Sequence, residues 1–330
     1  MKLTVTFIVL NWHSELDTIA CIQSIRALRG AYAKHIIIVD NESTDESAAA
    51  LQKLRGCVLI RNDRNEGFAG GVNSALPHIR GSYVALVNND AVLARDWLEQ
   101  SMAIMKKKDH VGAVGGTEFH WDATNPVGSV TNTFVTPSLV HPEQGYTVTT
   151  SRVLPVCEVA FLTGSNMLIP AALFKKLGGF DTDFFAYYED ADLSLRILAQ
   201  GHRLFYSPHV HIWHKRNVSS NKVPYLKRYL PARNRMIFIA KHYPDHLWRR
   251  MIRASILDAA VTAVLGSTGG LRSFLHGGRR IDAVQRKAFL AAAWWGITHQ
   301  GYLRRKRRSN ASSRMADLPQ TLHALQDRVI

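Results

Sequence analysis

The first 115 residues alternate short apolar runs with segments of helical spacing. Residues 5–10 are continuously apolar, as a strand buried on both faces is, and residues 16–28 repeat apolar positions every three or four. The same alternation predicts strands at 35–39, 57–60, 83–87 and 111–114, with helices at 43–54, 69–79 and 96–106. Ser43 or Thr44 is the expected cap of the second helix. This order builds a mostly parallel sheet with helices on both faces. In such sheets ligands bind beyond the carboxyl ends of the strands. Asn11, Asp40, Asn41, Asn62, Asp63 and the run Asn88-Asn89-Asp90 all fall at those ends, a clustering that packing alone does not produce.

The pattern weakens over 117–150, which is rich in Thr, Pro, Gly and Asn and reads as a long loop or insertion. Strand-like segments return at 153–159 and 166–169, and a helix is expected from Pro170. An amphipathic helix over 189–200 ends at Gly201, followed by short strands at 203–206 and 210–213. From 222 the spacing is helical: 225–243, 247–265 and 284–300, with breaks at 266–270 and 276–278 and a polar end from Ser309. The expected division is an α/β body over 1–240 and a basic helical region over 241–330.

Composition narrows the class. Of 330 residues, 46% are hydrophobic and 20% charged, which is ordinary for a globular protein and excludes disordered, collagen-like and coiled-coil chains. No apolar run approaches the roughly 18 residues of a membrane-spanning helix, and the apolar start reads as a first strand rather than a leader. Cys21, Cys57 and Cys157 are too few and too far apart for a disulfide framework or a CxxC metal site, which fits a reducing cytoplasm. The net charge of +15 is lopsided: residues 215–330 hold 23 of the 41 Lys and Arg but 5 of the 26 Asp and Glu. Such a region meets nucleic acid or an anionic membrane surface, or is a solvated basic face.

Several motifs carry chemistry. In Asp40-Asn41-Glu42-Ser43-Thr44-Asp45 an acid after a buried strand can accept from a base or ribose, or the run can serve as a helix cap. Asn65-Glu66-Gly67-Phe68-Ala69-Gly70-Gly71-Val72-Asn73 allows close backbone approach and offers N–H groups to a phosphate, although tight turns look similar. It is neither a P-loop nor a dinucleotide fingerprint. Asn88-Asn89-Asp90 can hold a hard divalent ion, or form a capped turn. Phe184-Phe185-Ala186-Tyr187-Tyr188-Glu189-Asp190-Ala191-Asp192 sets three acids behind aromatic rings; rings stack on sugars, and a carboxylate at their edge can take a hydroxyl proton. In His209-Val210-His211-Ile212-Trp213-His214, alternation puts His209 and His211 on one face and leaves His214 near the strand end. A nucleic-acid-binding protein would need a recognisable module, and a dinucleotide oxidoreductase would need glycines where Asn11-Trp12-His13 stands.

In this order the motifs resemble an inverting family 2 glycosyltransferase with the GT-A fold, over residues 3 to 240. The subgroup they resemble is rhamnosyltransferase-like and galactofuranosyltransferase-like, to which Arg233-Asn234 also looks similar. The resemblance implies a nucleotide-diphospho-sugar transferase fold, Rossmann-like, with a C-terminal helical extension. It implies Asp190 as the catalytic base. The nucleotide-sugar side is implied to be Asn11, Asp40, Asn65, Gly67, Gly70, Gly71, Asn88, Asn89 and Asp90. Gly164, Phe185, Tyr187, Glu189 and Asp192 are implied on the acceptor or sugar side, Asp192 in an orienting or structural role. Asp90 and His214 are implied as ligands of Mn²⁺ or Mg²⁺. Asn88 stands where the usual motif has a first Asp, which removes one charge and leaves more of the metal binding to the diphosphate. The implied donor is a dTDP- or UDP-sugar, dTDP-rhamnose first. The implied acceptor is a glycan or polyprenyl-linked glycan, met at the cytoplasmic face of an anionic membrane through the basic C-terminal region. The alternatives are a UDP-hexose or UDP-galactofuranose donor, or a non-catalytic glycan- or nucleic-acid-binding protein.

Overall fold

The computed structural model describes residues 3–44, 46–120, 130–134, 148–150, 155–215, 220–266 and 280–310. The described residues fall into two compact units: one drawn from Met1–Phe185 and Glu189–Val218, the other from Ala186–Tyr188 and Ser219–Leu318.

The first unit is built on strands β1 Thr4–Asn11, β2 Ala33–Asn41, β3 Cys57–Asn62, β4 Tyr83–Asn88, β5 Ala91–Leu93, β6 Val111–His120, β7 Val130–Phe134, β8 Val148–Thr150, β9 Cys157–Val159, β10 Asn166–Pro170 and β11 Arg203–His214. Its helices are α1 Glu15–Arg26, α2 Ser47–Gln52, α3 Gly67–Asn73, α4 Trp97–Lys107, α5 Ala171–Lys176 and α6 Glu189–Ala199. The sheet runs β3-β2-β1-β4-β10-β6-β11-β5. The β3-β2-β1-β4 half is parallel; β10 runs antiparallel to β4 and β6, and β6 pairs parallel with β11. Phe7, Val9, Ile38 and Val87 pack with Ile22 and Ile25 of α1 and Trp97 of α4 in one core. Burial of the central strands on both faces is what their unbroken apolar runs require.

The structure corrects several element expectations. The second helix begins at Ser47 with Glu46 before it and no side-chain cap; Ser43 is used elsewhere, as described below. The helix expected over 69–79 is α3 followed by a 3-10 turn at Leu76–His78, because Pro77 cannot continue α3. The helix after β10 starts at Ala171, with Pro170 closing the strand. The fifth strand does not stop at Val114; β6 runs to His120 because its ladder with β11 continues to His214. Its last residues, β7 and β8 therefore put strand structure inside the expected 117–150 loop, whose residues 121–129 and 135–147 lie outside the described ones. The two short strands near 203–213 are one strand with a bulge between Ser207 and His211. A Cβ at Gly116 would collide with the carbonyls of Ser207 and Val210, so the bulge depends on that glycine. His209 lies in the bulge, which breaks the expected His209/His211 alternation.

The second unit contains α7 Pro224–His242, α8 Trp248–Leu265, α9 Ala283–Thr298 and α10 Gln300–Ser309. Small residues let α9 pack closely: Ala288, Ala292, Ala293 and Gly296 are its buried positions. Arg307 is buried and donates to Ala240 O at 2.9 Å and Tyr243 O at 2.8 Å. Among the described residues no helix is long and apolar enough to cross a membrane. The expected break at 266–270 begins at Gly266, the left-handed cap of α8, while 267–270, 276–278, Arg279 and the tail beyond Asn310 lie outside the described residues.

Candidate active site

β1, β2 and β4 end side by side, and the residues there form one buried network. Asn11 and Asp40 are register partners across β1 and β2. The Asn11 amide donates to Asp40 Oδ1 at 2.9 Å and Ser43 Oγ at 3.1 Å, and its oxygen accepts from Thr18 Oγ1 at 2.8 Å. Thr18 accepts from Asn89 Nδ2 at 3.0 Å. All these side chains are buried. One acceptor is left over: Asp40 Oδ2 is buried without a hydrogen-bond partner, its ionic neighbour being Arg61 Nε at 3.4 Å. A buried acceptor of this kind marks a place for a donor from outside the protein.

Asn41 organises the adjoining loop. Its amide donates to Asn65 Oδ1 at 2.9 Å and Gly67 O at 3.1 Å, while its oxygen accepts from Asn62 Nδ2 at 2.9 Å and Glu66 N at 3.1 Å. Gly67 has a φ of 70°, and a Cβ there would enter the backbone and ring of Phe185. Ala69 N donates to Phe185 O at 3.0 Å. A Cβ at Gly71 would meet Leu10, and one at Gly70 would meet Glu66. The glycines therefore have a packing reason: they let α3 lie against β1 and the 185 loop.

At the ends of β4 and β11 the acidic and imidazole groups converge. Asp90 Oδ1 lies 2.9 Å from His214 Nε2, and Asn88 Nδ2 lies 3.2 Å from the same nitrogen. His214 Nδ1 faces Glu118 Oε2 at 3.2 Å. Glu118 Oε1 accepts from Thr163 Oγ1 at 2.7 Å and also from Ser165 Oγ. Burial alone would push the imidazole down. Hydrogen bonds to Asp90 and Glu118, with their charges, outweigh it and lift His214 to about 9. Asn88 Oδ1 is buried with no hydrogen-bond partner.

These residues fit a hard divalent cation. Adjacent ligands at about 2.1 Å in an octahedral shell lie about 3 Å apart, and Asp90 and His214 are 2.9 Å apart. The second imidazole nitrogen already has the carboxylate partner that metal-bound histidines use. Among the described residues no three His, Cys, Asp or Glu side chains form a metal-holding group. Among the described residues two such side chains, Asp90 and His214, meet here, beside the orphaned Asn88 oxygen.

Asp190 sits in the first turn of α6. Its Oδ1 accepts from Ala191 N at 2.8 Å and its Oδ2 from Gly164 N at 3.3 Å. Burial pushes this half-buried carboxyl up, and the backbone donors hold the rise to about 6. Glu189 is buried and driven well above the usual carboxylate range, first by burial and then by the Asp190 charge; its Oε2 has no hydrogen-bond partner. Asp192 is buried and accepts from Arg196 Nε at 2.7 Å, and that guanidinium pins Leu177 O and Gly179 O at 2.9 and 2.8 Å. Phe185 and Tyr187 stand at φ 64° and 70°, in the left-handed region.

One turn joins Asp190 to the acidic cluster. Gly164 N reaches Asp190, Ser165 Oγ reaches Glu118, and Ser165 O accepts from Asn88 N at 3.4 Å. Sequence reasoning missed Glu118, Ser165, Thr18 and the roles of Ser43 and Asn41. Glu118 lay in the stretch read as a loop; continued strand pairing past Val114 would have exposed it.

The model of the family described as glycosyl transferase family 2 matches residues 6–178. An N-acetylglucosaminyl-diphospho-decaprenol L-rhamnosyltransferase of Mycobacterium tuberculosis is 24% identical over 245 residues, covering 66% of this chain and 78% of that protein. An uncharacterized Sinorhizobium fredii protein is 25% identical over 220 residues, 61% of this chain; the match spans only 23% of that much longer protein. Among solved structures, a mannosyltransferase from Pyrobaculum calidifontis in complex with GDP-Man and Mn²⁺ shares the fold. Its TM-score is 0.51 at 16% identity, covering 98% of this chain and 79% of that one. The fold is thus of GT-A type. With more than half its length matched, Asn11, Asp40 and Asp90 included, the chain belongs to glycosyl transferase family 2.

Proposed function

We propose that the protein transfers a sugar with inversion from a nucleoside-diphosphate donor, dTDP-rhamnose first, to a hydroxyl of a glycan or polyprenyl-linked glycan. The observation that carries this is the 163–165 turn, which joins the carboxylate Asp190 to the Asp90–His214–Glu118 cluster. Asp40 Oδ2 accepts from the base or ribose, and Asn11 fixes its partner oxygen. Asp90, His214 and the Asn88 oxygen would hold Mn²⁺ or Mg²⁺. Such a cation neutralises charge on a departing diphosphate. Asp190, its carboxyl lifted by burial to about 6, takes the acceptor hydroxyl proton. The acceptor oxygen bonds to the anomeric carbon from the face opposite the diphosphate as that C–O bond breaks, so configuration inverts. Burial and the neighbouring Asp190 charge both favour the protonated form of Glu189 beside it.

Calorimetry of dTDP, UDP and GDP with and without Mn²⁺ tests this reading. One nucleotide is expected to bind, and more tightly with Mn²⁺; absence of binding by all three would overturn it. Glu118→Gln keeps the shape but removes the charge behind His214. It is expected to weaken Mn²⁺-dependent nucleotide binding by about tenfold, as loss of such a partner typically does, with metal-independent binding unchanged.

The membrane side of the proposal rests on the helical unit. Leu257 and Val264 on α8, and Leu290, Trp294 and Ile297 on α9, are exposed apolar side chains at helical spacing; Trp294 is 67% exposed. Arg250, Arg253, Arg286, Lys287, Arg304 and Arg305 are exposed on the same helices or on α10. Trp294 is therefore not inside the bundle, whereas Trp295 is half-buried and stacks on His299. Apolar stripes bordered by cations suit an anionic bilayer interface. The protein is expected to sediment with phosphatidylglycerol vesicles and not with neutral ones, and Leu290→Glu with Trp294→Glu to abolish it. Equal recovery with and without anionic vesicles would remove this part of the proposal.

A further inference from the structure

The residues leading into Asp190 are held in an unusual backbone. Phe185, Tyr187 and Tyr188 have φ values of 64°, 70° and 77°, three left-handed non-glycine residues within four positions. Such a run persists only where its surroundings over-determine it. Part of what holds it is one side chain of the helical unit. Asn234 on α7 is fully buried, and its Nδ2 donates to both Ala186 O and Tyr187 O at 2.8 Å. Its Oδ1 accepts from Arg233 Nε at 2.8 Å and NH2 at 2.6 Å. The amide is thus used at both donors and both lone pairs, and the guanidinium fixes which end faces the carbonyls. The Tyr188 ring packs on Phe238, one turn further along α7, with centroids 5.5 Å apart. The next residues in the chain are Glu189 and Asp190.

We propose that Asn234 is a positioning residue for Asp190: by clamping the Ala186 and Tyr187 carbonyls it fixes the backbone from which the first turn of α6 starts. Nothing else of the same size does this. Aspartate has no N–H to donate and would set a carboxylate against two carbonyls. Alanine would remove both donors. Glutamine adds a methylene to a side chain that is fully buried. The inference rests on Asp190 being the base, so its test includes a readout that does not depend on turnover.

Amide hydrogen exchange is measured over residues 183–193 in the wild type, Asn234→Ala, Asn234→Asp and the milder Arg233→Met, with β1 and β2 as internal reference. Exchange in 185–191 is expected to rise at least tenfold in both Asn234 variants and less in Arg233→Met, with the reference strands unchanged. Transfer assays on the same proteins are expected to show kcat lowered by about 100-fold, as loss of about 1 Å of positioning can cause. Donor KM and nucleotide affinity stay within about threefold, a split that general destabilisation would not give. Unchanged exchange over 185–191 in both Asn234 variants would overturn the inference, as would wild-type kcat in Asn234→Ala. An inactive wild type with the expected exchange pattern would count against the donor or acceptor chosen and leave the clamp supported.

Discussion

Asp190→Asn is expected to lower sugar transfer by about 10³-fold while leaving nucleotide affinity within about twofold, as loss of a general base without loss of binding does. The amide keeps the shape of the carboxyl and can still accept from Gly164 N or Ala191 N, but it cannot take a proton. The wild-type pH profile carries the same information. With its carboxyl lifted by burial to about 6, Asp190 binds a proton below that pH, and kcat should fall about tenfold per pH unit on the acid side. Stability moves the other way. A carboxyl whose value is higher folded than unfolded makes the folded state less stable at pH above about 6, and that cost fades as pH falls towards the ordinary carboxylate value of 3.8. The asparagine variant should therefore melt no lower than the wild type at pH 7.5, and the two should converge near pH 4. An inactive variant that is at least as stable separates chemistry from folding. If Asp190→Asn kept more than about a tenth of wild-type turnover, the proton would have another acceptor.

What the sequence made legible, and what it hid, follows from the range of each interaction. Asn11, Asp40 and Asn88-Asn89-Asp90 stand out because a strand covered on both faces is apolar until it reaches the ligand edge, so its first polar residue marks the site. His214 could be found for the same reason, at the end of a strand. Its partner Glu118 could not: the two are 96 positions apart, and Glu118 looks like any polar residue until β6 is seen to continue beside β11. Ser43 shows the converse. Local rules favoured a helix cap, but its hydroxyl accepts from Asn11 Nδ2 and from His13 N, and α2 starts four residues later without a side-chain cap. The glycines of 67–71 signal close backbone approach, and their missing Cβ atoms face Phe185, Leu10 and Glu66. Asp192, expected among the sugar-side acids in an orienting or structural role, pairs with Arg196, which also holds the turn after α5.

Asp90→Ala is expected to remove the Mn²⁺-dependent part of nucleotide binding and to cost at least about 100-fold in kcat/KM, since charge neutralisation on a departing diphosphate is worth several kcal/mol. The expectation comes from how few anionic ligands the described residues offer. Asn88 is neutral, Glu118 lies behind the imidazole, and among the described residues Asp90 alone brings a carboxylate to His214 Nε2. Asp90→Asn should be intermediate, because an amide oxygen still ligates but carries no charge. The nucleoside end of the site should not notice: Asp40 is held by Asn11 and has no bond to Asp90, so binding of the free nucleoside should match wild type in both variants. The backbone bond from Lys215 N to Asp90 O at 3.0 Å survives the substitution, which keeps β11 in place beside β5. Calorimetry with nucleoside, nucleoside monophosphate and nucleoside diphosphate, each with and without Mn²⁺, reads these effects separately. A full Mn²⁺ enhancement retained in Asp90→Ala would show that the cation is held elsewhere, and the 2.9 Å Asp90–His214 pair would then be a structural ion pair at the end of two strands.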